Sequence, residues 1–223
     1  MVGQGVLREC LLDPEVEAVT TIGRRASGMA DPKLTDLVHG NMLDFSDIRS
    51  RLSGFDACFF CLGVSSLGLT KDAYKRVTYD ITLAAAETLV GLNPGMTFVY
   101  VSGAGTDSTG RGRSMWARVK GATENALLRL PFKAAYMFRP ALIVPLLGIK
   151  SKTPVYRMFY VAARPLLPVL EALAPGAVTT TEKIGKAMLT AAREGAAKPV
   201  LDTADINALA RPLPAPPAPL PAR

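Results

Sequence analysis

Apolar stretches of two kinds alternate along most of this chain. One kind is short, continuous and rich in β-branched or aromatic residues, as in a buried strand, and the other repeats apolar residues at the spacing of a helix. Regular alternation of the two predicts an α/β fold in which helices cover both faces of a parallel sheet. We expect strands at about residues 16–22, 34–38, 55–62, 97–101 and 134–138, and helices at about residues 5–12, 71–90, 114–130 and 183–193.

The C-terminal part of the chain departs from this alternation in two places. Residues 141–176 are apolar, rich in proline and contain aromatic residues, which favours a small helical cap beside a substrate site. A plain C-terminal helix packed on the sheet is the alternative. Residues 211–223 are mostly proline, alanine and leucine, a composition typical of a solvated polyproline II tail. Residues 1–210 are therefore expected to form one domain, and the tail to be either a ligand for a proline-binding module or an extension without function.

Composition and charge narrow the classes of partner. Of the 223 residues, 49% are hydrophobic, which is enough for a large core, and the net charge is +7. A basic protein can bind nucleic acid, an anionic membrane surface or an anionic cofactor. The lysines and arginines are spread along the chain and no known nucleic-acid module surrounds them, so nucleic-acid binding is not expected. The longest charge-free apolar run, residues 140–149, is far shorter than the roughly 20 residues of a membrane-spanning helix.

The three cysteines, Cys10, Cys58 and Cys61, do not form the pattern of a disulfide framework. Cys58 and Cys61 make a C-x-x-C pair, but both lie in an expected buried strand, where positions three apart face opposite sides of the sheet. No second cysteine pair is present, and His39 is the single histidine. We therefore expect no metal site, and reduced thiols of this kind suit a cytoplasmic protein.

The first residues resemble the middle of a dinucleotide-binding unit rather than its start. A Rossmann-type fold opens with a strand and a glycine-rich turn, followed by a helix whose N-terminus holds the pyrophosphate. Here Gly3 takes the place of the last glycine of such a turn, and the expected first helix follows at once. We therefore expect a doubly wound Rossmann-type parallel sheet that lacks its first strand, and a natural protein that begins about ten residues upstream.

Polar residues and a glycine after three of the expected strands indicate a nucleotide coenzyme. Arg24 and Arg25 follow the second strand of the Rossmann pattern, where NADP-binding proteins place an arginine against the 2′-phosphate and NAD-binding proteins place an acid. The pair favours NADP(H), and two solvent-facing arginines in a loop are the alternative. Asp44 follows the next strand and is expected to accept from the adenine amino group, to cap a following helix, or both. Gly63 ends the fourth strand, where a glycine lets a ligand approach the backbone closely.

Six short motifs follow one another along the chain: Ile22-Gly-Arg24-Arg25, Asp44-Phe45, Cys61-Leu62-Gly63, a strand ending at Ser102, Val119-Lys120-Gly121 and Phe138-Arg139-Pro140. Their order and spacing resemble those of the atypical short-chain dehydrogenase/reductases. The resemblance covers essentially residues 1–210. It extends to the bacterial proteins called NAD-dependent epimerase/dehydratases and to the Tat-interacting oxidoreductase of animals.

The resemblance implies a bound NADP(H), with NAD(H) as the alternative, and an oxidoreductase that acts on a carbonyl or alcohol. Ser102 would lie beside the reacting carbonyl, and Lys120 would hold the nicotinamide ribose. Both would also contact the coenzyme. The other coenzyme contacts implied by matching positions are Gly3, Arg24, Arg25, Asp44, Phe45, Cys61, Leu62, Gly63, Arg139 and Pro140.

Trp116 stands where the family has the tyrosine of its Tyr-x-x-x-Lys motif. In the family this tyrosine transfers a proton while hydride moves to or from the nicotinamide. Indole cannot replace it as acid and base, because its N–H only donates and does not titrate. Three outcomes are open. Another group supplies the proton, with Ser102, Ser114, a water chain and, more weakly, Tyr100 as candidates; the protein binds coenzyme without catalysis; or the motif is out of register.

The expected function is therefore that of an NADP(H)-dependent oxidoreductase with a small-molecule substrate. A catalytically silent NADP(H)-binding regulator or scaffold is the alternative. The apolar segment 141–176 favours an apolar substrate, and equally a homodimer face or contact with a membrane surface.

Overall fold

The fold follows the predicted alternation of strands and helices. The computed structural model describes residues 1–145 and 176–211. Within these residues every strand pair is parallel. The strands are β1 (Val19–Gly23), β2 (Leu34–Val38), β3 (Ala57–Phe60), β4 (Thr97–Val101), β5 (Ala134–Arg139), β6 (Leu142–Val144), β7 (Val178–Thr180) and β8 (Val200–Asp202). The helices are α1 (Val2–Leu12), α2 (Lys71–Lys75), α3 (Ile81–Leu92), α4 (Met115–Leu127), α5 (Thr181–Arg193) and α6 (Thr203–Leu209), with a 3₁₀ helix at Ser46–Arg51 and a π-helical turn at Arg76–Asp80.

The strands form one four-stranded sheet and two strand pairs. The four-stranded sheet has the order β3-β4-β5-β8, and the pairs are β1-β2 and β6-β7. Placed side by side, the first pair and the larger sheet give β2-β1-β3-β4-β5-β8, which is the Rossmann strand order with one position missing between β1 and β3. In the described residues β1 and β3 do not pair with each other. The predicted Rossmann-type sheet without its first strand is therefore confirmed.

Two hydrophobic clusters, one on each face of the strands, join the β1-β2 pair to the larger sheet. The first cluster contains Phe98 and Tyr100 of β4 together with Leu37 of β2. The second contains Val99 of β4 and the partly buried Val19 of β1. Alternate residues of β4 thus enter opposite clusters, as the pleat of a strand requires. Because both clusters contain residues from both sheets, the two sheets share one core.

The long helix predicted over residues 71–90 is present but is interrupted. It consists of α2, the π-helical turn at Arg76–Asp80 and α3, and it ends at Leu92, two residues after the predicted end. The Thr82 hydroxyl, in the first turn of α3, donates to the carbonyl of Thr78 in the π-helical turn (2.6 Å). Such a side-chain bond to the backbone competes with regular helical pairing and leaves no trace in the spacing of apolar residues.

The C-terminal elements differ most from the prediction. The helical cap predicted over 141–176 is wrong at its start, because residues 142–144 form strand β6, which pairs with β7. Three consecutive branched residues favour this extended backbone. The rest of the predicted cap (146–175) and of the tail (212–223) lies outside the described residues. The sequence prediction also missed β8 and α6, which have only three and seven residues and thus no measurable periodicity.

Helix α1 packs tightly against α5, which ties the first residues of the chain to its C-terminal region. A Cβ on Gly5 would lie 2.6 Å from the Cβ of Thr181, and one on Gly185 would lie 2.6 Å from the Cγ of Glu9. Only glycine allows this approach at both points. The ion pair between Arg193 and Asp13 (Nη2–Oδ1 2.7 Å) closes the end of the helix pair.

Candidate functional site

The residues predicted to bind a coenzyme gather at one edge of the sheet. The carboxyl ends of parallel strands all point to this edge, where doubly wound folds bind ligands. Arg24 follows β1, Asp44 lies in the loop after β2, Gly63 follows β3 and Ser102 directly follows β4. Lys120 reaches the same edge from α4, because its Nζ donates to the Ser102 carbonyl (2.5 Å). The predicted serine and lysine are thus brought together.

Ser102 is buried and tied to the neighbouring strand. The residue as a whole is 8% exposed. The Ser102 N–H donates to the Phe138 carbonyl (2.8 Å), and its hydroxyl donates to the same oxygen (3.1 Å). The hydroxyl hydrogen is therefore engaged by β5. To donate to a substrate oxygen, the hydroxyl would first have to rotate away from Phe138.

The Lys120 ammonium lies at the carboxyl end of β4. Besides the bond to Ser102, it donates to the Val101 carbonyl (3.4 Å) and lies 5.7 Å from the centre of the Tyr100 ring. Burial lowers the pKa of Lys120 from its usual 10.5 to about 8, and the charge of Glu124 opposes part of that fall. The lysine is thus close to its protonation midpoint near neutral pH, which is unusual for this side chain.

Trp116 lies one helical turn before Lys120 on α4, so both side chains leave the same side of the helix. The indole is partly buried and packs over the loop that follows β4. A Cβ on Gly105 would lie 3.4 Å from Cη2 of Trp116, and Gly105 has a φ of +82°, which favours glycine. The indole forms an apolar wall at this position, and its own N–H does not titrate.

The other proton donors considered from the sequence differ in access. Tyr100 is 1% exposed, and burial raises the pKa of its phenol further above 10. It is therefore poorly suited to exchange protons with a substrate. Ser114 is exposed, and as the N-cap residue of α4 it makes no side-chain capping bond. Its hydroxyl is the more accessible of the two.

A buried ion pair adjoins the predicted site and was missed in the sequence. Glu124 is 0% exposed, and it accepts from the Nε of Arg139 (3.0 Å) and from its Nη2. The Ser108 hydroxyl donates to Glu124 (3.3 Å) and accepts from Arg139. The guanidinium predicted to contact coenzyme is thus committed to Glu124, and a coenzyme role for it stays a prediction. The position of Glu124, four residues after Lys120, was the available sequence signal.

The loop between β4 and α4 is seated directly on the helix. A Cβ on Gly121 would lie 1.8 Å from the carbonyl oxygen of Asp107, so only glycine fits there. The Asp107 N–H donates to the Ala117 carbonyl (3.1 Å). The Asp107 carboxylate accepts from the Thr109 hydroxyl (2.6 Å) and from the N–H groups of Gly112 (2.7 Å) and Thr109 (3.0 Å), and these bonds hold its pKa below the usual range. This loop therefore forms a fixed wall of the site.

Arg24 and Arg25 are exposed in a turn that Asp36 holds in place. The Asp36 carboxylate accepts from the Ser27 N–H (3.0 Å) and hydroxyl (2.9 Å), and also from Thr21. Within the described residues neither arginine forms an ion pair. Both guanidinium groups are therefore available to an anionic ligand. The sequence prediction missed Asp36, since a lone aspartate inside a strand carries no motif.

Asp44 is exposed, and its surroundings are ordered by a buried histidine. The Nε2–H of His39 lies 2.7 Å from the carbonyl oxygens of both Asn41 and Asp44 and donates to them. The Asp44 carboxylate accepts from the Ser46 N–H (2.9 Å) at the start of the 3₁₀ helix, and this bond lowers its pKa. The N-cap residue of that helix is Phe45, which makes no side-chain capping bond. The Phe45 side chain is buried in the core, so only its backbone can face a ligand.

Gly63 and Gly3 differ in what surrounds them. A Cβ on Gly63 would meet no atom within 4 Å, and its φ lies outside the positive region. Nothing in the described fold therefore requires glycine at this position. A Cβ on Gly3 would lie 3.3 Å from the Cβ of Cys61, so the start of α1 fits closely against the end of β3. Leu62 is partly buried and packs against the first hydrophobic cluster, and Pro140 is buried directly after β5.

The cysteines are free thiols in apolar surroundings. Burial raises the pKa of both Cys58 and Cys61 to about 12. No group of three or more His, Cys, Asp or Glu residues in the described parts of the chain could hold a metal ion. None of the helices described here has the length and apolar character that crossing a bilayer requires.

Two relatives illustrate the sequence similarity of this chain to known proteins. Protein fmp52, mitochondrial, from Emericella nidulans is 27% identical over 201 residues, which cover 86% of this chain and 82% of that protein. Protein HTATIP2 from Rattus norvegicus is 28% identical over 145 residues, which cover 64% of this chain and 58% of that protein. The match thus spans less than two thirds of the rat protein. Compared with profiles of known protein families, the chain matches none.

Solved structures of similar fold come from sugar-nucleotide and dehydrogenase enzymes. A UDP-N-acetylglucosamine 4-epimerase from Methanobrevibacter ruminantium has a TM-score of 0.63 at 15% identity, covering 90% of this chain and 71% of that one. The Bordetella bronchiseptica enzyme WbmF, solved with NAD+, has a TM-score of 0.59 at 17% identity, covering 93% and 73%. The likeness to these structures establishes the Rossmann-type fold. In sequence and in fold, the chain resembles the atypical short-chain dehydrogenase/reductases.

Proposed function

We propose that this chain is an NADP(H)-dependent oxidoreductase of the atypical short-chain type, acting on a carbonyl or alcohol of a small molecule. The observation that carries the proposal is the meeting of Ser102 and Lys120 at the carboxyl end of β4. Arg24, Asp44 and Gly63 lie at the ends of the strands on one side of it. The Rossmann-type fold, shared with enzymes solved with NAD+, supports the same assignment.

The preference for NADP(H) over NAD(H) rests on Arg24 and Arg25. A 2′-phosphate is the feature that separates the two coenzymes, and paired guanidinium groups can bind it through charge-assisted hydrogen bonds. Both arginines are exposed, and the turn that carries them is held by Asp36. Because Asp36 is already bonded to Thr21 and Ser27, it is not a free acid for ribose hydroxyls.

The rest of the coenzyme would follow the carboxyl edge from Asp44 to Lys120. The exposed carboxylate of Asp44 can accept from an adenine amino group on the side not used by Ser46. The open space at Gly63 leaves room for a ligand against the backbone. The Lys120 ammonium, charged below a pKa of about 8, can donate to ribose hydroxyls while it remains bonded to Ser102.

The chain must supply a proton when coenzyme supplies hydride to a carbonyl. Trp116 cannot do so, because indole does not titrate. The Ser102 hydroxyl can pass its proton to a developing alkoxide only after it leaves the Phe138 carbonyl. We therefore propose a proton path that runs from water or Ser114 to Ser102 and from Ser102 to the alkoxide, with slower turnover than a tyrosine would give.

A catalytically silent NADP(H)-binding protein is the second candidate. One specific observation favours it, namely the apolar wall that Trp116 forms over Gly105 where a proton donor is expected. In that case the same residues would bind coenzyme, and binding rather than turnover would be the useful event.

A titration with a carbonyl panel separates the two candidates. The oxidation of NADPH is followed by absorbance with small and apolar aldehydes and ketones, for the unaltered protein and for Lys120→Ala. Turnover that falls at least about 100-fold in Lys120→Ala supports the enzyme. Binding of NADPH without turnover across the whole panel supports the silent protein. If neither coenzyme binds, both candidates are wrong.

The polarity of the substrate, the oligomeric state, membrane contact and the cellular location are proposed from composition, cysteine chemistry and the names of relatives. An apolar substrate is supported by the composition of residues 141–176, of which 146–175 lie outside the described part of the chain. The same composition supports a homodimer or contact with a membrane surface. A cytoplasmic location is supported by the free thiols, whereas the names of the fmp52 relatives place those proteins in mitochondria.

A further inference from the structure

The buried carboxylate of Glu124 has a position that ion pairing alone does not explain. An ion pair in the interior loses most of its hydration, so a pair of well-packed apolar residues is often equally stable. Here the pair is kept at the point where three elements meet: α4, the end of β5 and the loop after β4. These are also the elements that present Ser102 and Lys120.

Glu124 is close to Lys120 in the helix and in charge. Residues four apart on a helix lie on one side of it, and an acid and a lysine at this spacing attract each other. The Lys120 ammonium is held in the other direction by the carbonyls of Val101 and Ser102. The Lys120 ammonium is thus bonded to carbonyl oxygens at the end of β4, and the fully buried Glu124 lies one helical turn further along α4.

We propose that Glu124 is a positioning residue that keeps Lys120 in its charged form at the end of β4. The proposal rests on the proposed function in one respect, since Lys120 is the group that would hold the coenzyme ribose. Arg139 and Ser108 hold the Glu124 carboxylate in place through three hydrogen bonds. Burial favours the neutral amine of Lys120, and the charge of Glu124 acts against that effect.

The other ionisable groups near Lys120 do not take this role. Tyr100 presents its ring face to the ammonium and is neutral, because burial raises its pKa. Glu124 is the one charge that acts on the pKa of Lys120 in the described residues, and it raises that pKa against the effect of burial. The other ionisable residues on the elements around α4 are Lys71, Asp72, Tyr74 and Lys75 on α2, Arg76, Tyr79 and Asp80 in the π-helical turn, Glu87 on α3, Asp107, Arg111 and Arg113 in the loop after β4, and Tyr136 and Arg139 on β5.

The test measures the charge on Lys120 directly. Only the unprotonated amine reacts with an acylating reagent, so the pH dependence of Lys120 acylation, read by peptide mass spectrometry, reports its pKa. The unaltered protein is expected to reach half of its maximal rate near pH 8. In Glu124→Gln the midpoint is expected to fall by about 0.5 to 1 pH unit, since a nearby opposite charge has been removed.

Two further variants separate charge from simple disturbance of packing. Arg139→Lys disturbs the same packing but keeps a cation beside Glu124, so its midpoint is expected not to fall. Glu17→Gln makes the same chemical change as Glu124→Gln at an exposed position and is expected to leave the midpoint unchanged. An unmoved midpoint in Glu124→Gln, or an equal fall in Arg139→Lys, would overturn the proposal.

The test stays informative if a variant does not fold. The double variant Glu124→Gln/Arg139→Gln leaves no unpaired buried charge and carries the same prediction of a lower midpoint. Because acylation is measured without coenzyme, the result is independent of whether NADPH binds. Loss of NADPH binding in the unaltered protein would therefore contradict the proposed function and leave the inference about Glu124 standing.

Discussion

At the residue scale, the chemistry of the site turns on Trp116 and Lys120. The lysine is in place at the end of β4, whereas the position one turn earlier carries an indole that cannot titrate. In the proposed function, coenzyme binding and proton transfer are thus separated. The first would depend on Lys120 and the other predicted coenzyme contacts, and the second would need a donor other than Trp116.

Restoring the phenol should restore proton transfer. In Trp116→Tyr, a hydroxyl lies four residues before Lys120, whose positive charge favours the phenolate. Carbonyl reduction is expected to rise about 10- to 100-fold, measured as NADPH oxidation at saturating coenzyme. Trp116→Phe is the matched control and is expected to bring no gain. A tyrosine variant no faster than the phenylalanine variant would contradict the assigned register.

Burial of Lys120 should make stability depend on pH in a defined window. The folded-state pKa is lowered from 10.5 to about 8, which corresponds to about 3 kcal/mol. Between these values the unfolded chain binds more protons than the folded one, so stability rises with pH through the window and the penalty is fully present below pH 8. In Lys120→Met this rise is expected to disappear, as measured by urea unfolding at pH 7 and pH 10. If the free energy of unfolding rises as much between pH 7 and pH 10 in Lys120→Met as in the unaltered protein, Lys120 is not desolvated.

At the element scale, the decisive contact is between α4 and the loop after β4. The loop backbone at Asp107 lies against Gly121, and Arg139 of β5 reaches across to Glu124 of the same helix. Three elements are therefore fixed relative to each other before any ligand binds. Such a prearranged wall favours an oriented ligand.

The contact at Gly121 can be tested by adding one methyl group. In Gly121→Ala the new Cβ would lie 1.8 Å from the Asp107 carbonyl oxygen, so the loop must move. The free energy of unfolding is expected to fall by about 3 kcal/mol, measured by denaturant titration. Gly91→Ala, within α3 and with its nearest neighbour 3.9 Å away, is expected to stabilise by up to about 1 kcal/mol. Equal changes in the free energy of unfolding in the two variants would contradict the close packing of the loop against Gly121.

The elements that sequence predicted well are those with a strong apolar pattern. Strand β4 matches its predicted bounds, because a buried parallel strand reads as a continuous apolar run. Strand β2 also matches its predicted bounds, although Leu37 is its one buried residue. The short β6 and β8 were missed, since each pairs with a strand far away in the chain. The π-helical turn was missed because the spacing of apolar residues does not reveal it.

The candidate site divides in the same way. The positions of Ser102 and Lys120 followed from spacing within one strand and one helix. Asp36 and Glu124 could not be predicted, because their roles arise from partners 9 to 15 residues away in other elements. The commitment of Arg139 to Glu124 likewise depends on how β5 lies beside α4.

At the scale of the whole molecule, the sheet is divided between β1 and β3. One edge of β1 pairs with β2, and all five residues of β1 are only partly buried, whereas four of the five residues of β4 are buried. The two parts share their core, but the β1-β2 pair has the weaker backbone support. This is the part of the molecule that carries Arg24 and Arg25.

Amide hydrogen exchange should show this difference. The N–H groups of β1 and β2 are expected to exchange faster than those of β4 and β5, because local opening costs less where fewer backbone groups are paired and buried. The measurement is made by mass spectrometry on peptides that cover 19–38 and 97–139. Equal protection in both regions would mean that the sheet behaves as one continuous unit.

The exposed arginines after β1, Arg24 and Arg25, are proposed to select NADP(H). The most direct test is a titration of NADPH and NADH, by fluorescence or calorimetry, into the unaltered protein and into Arg24→Ala/Arg25→Ala. NADPH is expected to bind more tightly than NADH, and the double variant is expected to lose at least about 10-fold in NADPH affinity with little change for NADH. A preference that survives both substitutions, or binding of neither coenzyme, would contradict the claim.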